Sequence, residues 1–210
     1  MQEYASDITK FVAACHKVAA HGLVQCSSGN LSQRIGPDTA LLSASRSWLA
    51  ELTDEQVAIC EIGSGRCLNS KTPTCESVFH LGILKNRPGM NVVLHFQSPY
   101  ATAVACGKPE AYDYNMTIEI PVYIGQPAVV AYLPPGSNEL AQATIEALKK
   151  QQTHIAILRN HGLVTVGKDM NDAIQKAVFF EMACRILLTN PEADPLALEE
   201  VEHLRQLGQA

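Results

Sequence analysis

HIAILRNHGLVTVG, residues 154–167, decides the fold. HIAIL (154–158) and LVTV (163–166) are apolar runs of strand length, and the turn RNHG between them leaves room only for a sharp corner. His161 stands on that corner, where a rigid scaffold aims a side chain into a cleft.

Working outward, VVLHFQSP (92–99) contains another buried strand, and His95 and Gln97 share its parity and so its side. Glu76, Val78, Phe79, His80, Ile83 and Leu84 suit a helix that ends before Pro88, which places Glu76 in its first turn. Asp169 is a good N-cap for a long helix running to about Leu188, with Ile174, Ala177, Val178, Cys184 and Leu188 as its apolar stripe. Glu181 falls on that stripe and needs a partner if buried; an arginine is the expected one. At the other end, Ile8, Phe11, Val12, Cys15, Val18 and Ala19 recur at helical spacing up to a stop at Gly22. Residues 40–42 and 57–62 read as strands of a meander, 100–106 and 138–150 as helices, and 129–132 as a strand; a short helix follows Pro191 and Pro195. With no repeat or linker, residues 1–210 are expected to form a single α/β domain around a central, largely antiparallel sheet.

Composition excludes several functions. A net charge of -5 without a basic block gives no electrostatic basis for nucleic acid or an anionic membrane. No apolar run approaches the ~18 residues of a membrane span, and MQEYASDITK is charged where a signal peptide is apolar, so a soluble, cytoplasmic protein is expected. Seven cysteines without a CxxC pair suit neither a disulfide framework nor a thiolate zinc site.

A catalytic divalent ion needs about three ligands, commonly histidines with one carboxylate. Glu76, His95 and His161 are the candidates. Singly, each histidine reads equally as a hydrogen-bonded structural residue, Glu76 as a favourable charge at a helix start, and His80, one turn on, as its partner or a packed ring. Ser27-Ser28-Gly29-Asn30, Ser43-Ala44-Ser45-Arg46 and Thr74-Cys75 are hydroxyl-rich segments suited to an anion, although turn and capping chemistry would satisfy each alone.

Six blocks in this order, SSGNLSQR (27–34), LLSAS (41–45), PTCESVFH (73–80), VVLHFQSPYATAVA (92–105), YLPPGSNELA (132–141) and ILRNHGLVTVG (157–167), resemble the class II aldolase/adducin family, most closely its L-fuculose-phosphate aldolase branch. The resemblance implies a three-layer α/β/α fold and a homotetramer with active sites between subunits. It also implies a divalent metal, most often Zn2+, held by Glu76, His95, Gln97 and His161, and a sugar phosphate held at Gly29, Asn30, Ser45, Arg46, Thr74 and Cys75. The implied reaction cleaves a phosphorylated ketose such as L-fuculose 1-phosphate to dihydroxyacetone phosphate and an aldehyde. Glu76 acts as acid/base, and a neighbour's tyrosine protonates the leaving oxygen; Tyr123 is chosen over Tyr112 and Tyr114. Epimerisation, dehydration and an adducin-like binding role without chemistry are the alternatives. Two positions depart from the pattern: Gln97 stands where the family has a second metal-binding histidine, and Arg46 where it has glycine.

Overall fold

Alternation along the strands sorts the core into two faces. In the computed structural model, which describes residues 2–150 and 153–208, a seven-stranded sheet has the order β3-β2-β1-β4-β7-β6-β5. Its strands are β1 (Asn30–Arg34), β2 (Thr39–Ser43), β3 (Val57–Glu61), β4 (Val92–Phe96), β5 (Ala128–Val130), β6 (Ile155–Leu158) and β7 (Gly162–Gly167). Leu31, Leu94, Phe96 and Leu163 enter one apolar cluster with residues of α1 (Ala5–Ala20), α3 (Pro99–Ala105) and α5 (Met170–Thr189). Val93, Val164 and Val166 enter the other, with residues of α2 (Ser77–Asn86) and α4 (Asn138–Lys149). Helices therefore cover both faces of the sheet. A last helix, α6 (Leu198–Leu207), packs against a single π-helical turn at Ile120–Ile124. Among the described residues no helix is long and apolar enough to cross a membrane.

The two strands read from residues 154–167 form as β6 and β7 and pair antiparallel, with Leu158 opposite Gly162. The sheet is nevertheless mixed: β5 runs parallel to β6, while every other pairing is antiparallel. Helix α4 lies between β5 and β6 in the chain and supplies the crossover that a parallel pair requires. Strand β1 has no clear apolar alternation, because Asn30 and Ser32 occupy the positions that face α2. Helix α1 ends as Gly22 predicts. That residue has φ +71°, its N–H donates to Ala19 O (2.8 Å), and Leu23 N donates to Val18 O (3.4 Å).

Glu181 corrects one expectation. Its partner is not an arginine but the start of α3: the carboxylate accepts from Ser98 Oγ (2.7 Å), Tyr100 N (3.0 Å) and Ala101 N (2.7 Å). A helix N-terminus offers unpaired N–H groups and a positive dipole end, which is what a half-buried carboxylate requires. Glu181→Ala should destabilise the protein by about 2 kcal/mol in urea unfolding, and Glu181→Gln by less, since its amide oxygen still accepts; equal losses would show that charge, not acceptance, matters.

Candidate metal centre and phosphate cavity

Three neighbouring strands and one helix start build the site. β4 lies between β1 and β7, with His95 opposite Asn30 on one side and Val164 on the other. His95 has the parity of Val93, so it faces α2, whose N-cap residue is Glu76. The corner after β6 brings in His161, with Asn160 in the left-handed region at φ +54°. Gly162 permits this approach: a Cβ there would lie 2.8 Å from Gln97 Cγ and 3.1 Å from His95 Cε1.

Glu76, His95 and His161 each offer a ligand atom, and these atoms lie within 4.8 Å of one another. His95 Nε2 is 3.6 Å from Glu76 Oε2, and His161 Nε2 is 3.4 Å from Glu76 Oε1. His95 Nδ1 lies 2.9 Å from Leu163 O, which assigns the ring proton to Nδ1 and bares Nε2 towards the carboxylate, the usual state of a metal-ligating histidine. Glu76 Oε1 is buried without a hydrogen-bond partner, which fits a role as a cation ligand. Two imidazoles and a carboxylate suit a catalytic zinc site or a related divalent one.

The electrostatics favour ligand-ready groups. Burial would raise the Glu76 carboxyl, but His95, the Asn30 amide and the other histidines hold it below its ordinary value, so it is ionised. Burial and the neighbouring His95 push His161 down to about 4 against the pull of Glu76, which leaves a neutral imidazole near neutral pH. Gln97 is placed differently from a ligand: its amide nitrogen donates to His161 O at 2.5 Å and so ties β4's end to the corner.

All six residues expected to hold phosphate line one cavity of about 290 Å³: Gly29, Asn30, Ser45, Arg46, Thr74 and Cys75. Ser27 and Ser47 line it as well; Ser47 escaped the reading although it extends the hydroxyl-rich segment. Gly29 has φ +80°, and a Cβ there would meet His95 O at 2.7 Å. Arg46 also sits in the left-handed region, φ +63°, and makes no hydrogen bond or ion pair with the described residues. Asn30 lies on the border of the two regions. It lines the cavity while its amide donates to Glu76 Oε2 (2.9 Å), a role in the metal centre that its turn-like sequence context gave no sign of.

Tyr123 is not brought to this cluster within the chain. It is 43% exposed, stacks on Phe179 (5.6 Å) and lines a separate cavity of about 530 Å³ with His154 and Arg205. Tyr114 is buried and donates to Pro109 O (2.8 Å), and Tyr112 packs edge-on against it, so both serve the core.

Comparison with known proteins bears on the fold and the family. The family model for the Class II Aldolase and Adducin N-terminal domain matches residues 9–188. An L-fuculose phosphate aldolase of Methanococcus maripaludis is 32% identical over 183 residues, covering 86% of this chain and 95% of that protein. A 3-oxo-tetronate 4-phosphate decarboxylase of Haemophilus influenzae is also 32% identical, over 77% of each chain. Among solved structures, YgbL of Klebsiella pneumoniae superposes with a TM-score of 0.85 at 25% identity, covering 94% of this chain and 97% of its own.

Buried neutral histidines give the protein an acid sensitivity with a definite sign. Burial, aided by His95 and opposed by Glu76, moves His80 from an ordinary 6.5 to about 3, and burial moves His154 from 6.5 to about 4. Below 6.5 the unfolded chain takes up protons that the folded chain refuses, so the stability from His80 is whole above 6.5 and is lost as pH falls towards 3. The slope for a fully buried histidine approaches about 1.4 kcal/mol per pH unit. The apo-protein's Tm should fall between pH 6.5 and 4, less steeply in His154→Gln; a flat Tm profile would contradict this reading.

Proposed function

Because the chain belongs to the class II aldolase and adducin family, we propose that it is a metal-dependent aldehyde-lyase acting on a phosphorylated ketose, with L-fuculose 1-phosphate as the first candidate. The observation that carries this reading is Asn30, whose side chain both holds Glu76 and borders the hydroxyl-rich cavity. A ligand anchored in that cavity by its phosphate would extend past Asn30 towards Glu76.

Glu76, His95 and His161 would hold the ion, with Zn2+ the best match to the donor set. A divalent cation supplies Lewis-acid stabilisation of the oxygen charge that develops when the carbon–carbon bond breaks. The chain's own groups do the rest. Ser45, Thr74 and the backbone at Gly29 hold the phosphate, and Arg46 adds a guanidinium able to bind it in a bidentate manner. Glu76, ionised and tethered through Oε2, moves the proton at the carbon beside the carbonyl. Gln97 holds the corner that aims His161. In a homotetramer with sites between subunits, Tyr123 of a neighbouring chain would be the proton donor, since within the chain it lines the separate cavity.

Arg46 favours a second reading, loss of carbon dioxide from a phosphorylated 3-oxo acid. The unpartnered guanidinium suits a second anionic group, and the Haemophilus influenzae relative bears the name of such a decarboxylase. Both reactions leave the same kind of carbanion; only the departing fragment differs.

Metal analysis of the purified protein should find a divalent ion, and turnover of L-fuculose 1-phosphate should stop with a chelator and return with Zn2+. Release of carbon dioxide from a phosphorylated 3-oxo acid, without aldehyde release from the ketose phosphate, would replace the first reading with the second. Glu76→Gln should lower kcat by at least ~100-fold with the circular dichroism unchanged; retained turnover would remove Glu76 from the mechanism.

Arg46→Gly should raise thermal stability by about 1 kcal/mol, because glycine adopts positive φ freely, while weakening inorganic phosphate binding. Unchanged phosphate affinity would separate Arg46 from the anion.

A further inference from the structure

Behind the metal centre lies a buried polar chain that neither ligation nor phosphate binding explains. Glu76 Oε2 accepts from Asn30 Nδ2 (2.9 Å), His80 Nε2 lies 2.5 Å from Asn30 Oδ1, and Ser32 Oγ lies 2.7 Å from His80 Nδ1. All four residues are buried, and His80 and Ser32 are fully so.

The direction of every bond follows from Glu76. An ionised carboxylate only accepts, so the Asn30 amide must present its nitrogen to it and its oxygen to His80. That oxygen also only accepts, which assigns the ring proton of His80 to Nε2. Nδ1 is then bare and takes the Ser32 hydroxyl proton. We propose that Ser32, His80 and Asn30 are positioning residues forming a one-way chain that holds the Glu76 carboxylate in its metal-binding orientation, an inference that rests on the metal reading above.

Geometry supports a positioning role over simple core filling. Asn30 and Ser32 sit two apart on β1, which α2 covers, and His80 lies one turn after Glu76 on α2. Phe79 stacks on the His80 ring at 4.7 Å and sets its plane. An apolar residue in place of His80 would pack in the same layer without the desolvation cost of an imidazole. The chain ties only Oε2; Oε1 keeps no hydrogen-bond partner and stands 3.4 Å from His161 Nε2. A free Glu76 side chain would sample other rotamers, and a metal ligand that must first be ordered binds more weakly.

The test is a zinc competition titration on the intact protein as wild type, His80→Leu and His80→Gln, with near-UV circular dichroism as the folding check. His80→Leu should weaken zinc by about 10–100-fold. His80→Gln, whose amide can donate to Asn30 and accept from Ser32, should recover most of that loss, which a merely structural effect would not predict. Wild-type zinc affinity in a folded His80→Leu, or no recovery in His80→Gln, would overturn the chain. Should His80→Leu fail to fold, histidine 15N spectra of the wild type decide: a neutral ring protonated on Nε2 supports the inference, and protonation on Nδ1 refutes it. A wild type that binds no zinc removes the metal reading itself, an outcome distinct from equal binding by both proteins.

Discussion

A carboxylate buried to 4% exposure is the constraint around which this molecule is arranged. An ionised group in that position costs several kcal/mol unless its surroundings replace the water it has lost. Glu76 receives one hydrogen bond, from Asn30, and two imidazole edges at ion-pair distance. That is thin compensation for an anion without a cation. It accounts for the polar residues spread over β1, α2, β4 and the corner before β7, since each brings a donor or a dipole to one point. It also accounts for Gly29 and Gly162, where a side chain would hold the strands apart.

Much of this was legible in the sequence, and what escaped did so for physical reasons. The two strands at 154–167, the Asp169 cap and the Gly22 stop are local signals, set by residues within a turn of one another, and they hold in the structure. Strand β1 carries no strand signal because Asn30 and Ser32 stand at positions where a strand would otherwise show apolar residues. Glu181 pointed correctly to a buried partner but not to its kind, because a helix N-terminus from another part of the chain leaves no mark near Glu181. The parallel pairing of β5 depends on how the chain crosses over rather than on strand composition. As for the site, Glu76, His95 and His161 were nominated by position, but their convergence depends on β4 lying between β1 and β7, and register between distant strands is not written in any one segment.

Gln97 shows how a departure from a family pattern can be absorbed. Where the pattern places imidazole, the amide nitrogen here binds the carbonyl of His161. A potential ligand has become a strut for one. The remaining candidate donors, two imidazoles and one carboxylate, match a set that holds zinc in hydrolytic enzymes and leaves positions open for substrate oxygens. With three strong donors rather than four, an ion held there would bind less tightly and keep more positions open for a chelating substrate.

Backbone strain gives an argument that does not depend on any ion. Among the described residues, the non-glycine residues with positive φ are Cys26, Arg46 and Asn160. Cys26 precedes Ser27 of the cavity, Arg46 lines the cavity, and Asn160 precedes His161. The left-handed region costs an ordinary residue about 1–2 kcal/mol, an appreciable part of the ~5–15 kcal/mol by which domains are stable. Asparagine bears that cost lightly; arginine and cysteine do not. Strain spread without regard to function would fall on loops across the surface, yet here it borders one site from three separate segments. A binding module that used only the outer surface of the fold would have no cause to keep arginine where glycine is free of strain. Of the three, Arg46 lines the hydroxyl-rich cavity itself, so its strain falls where its side chain would meet the proposed anion.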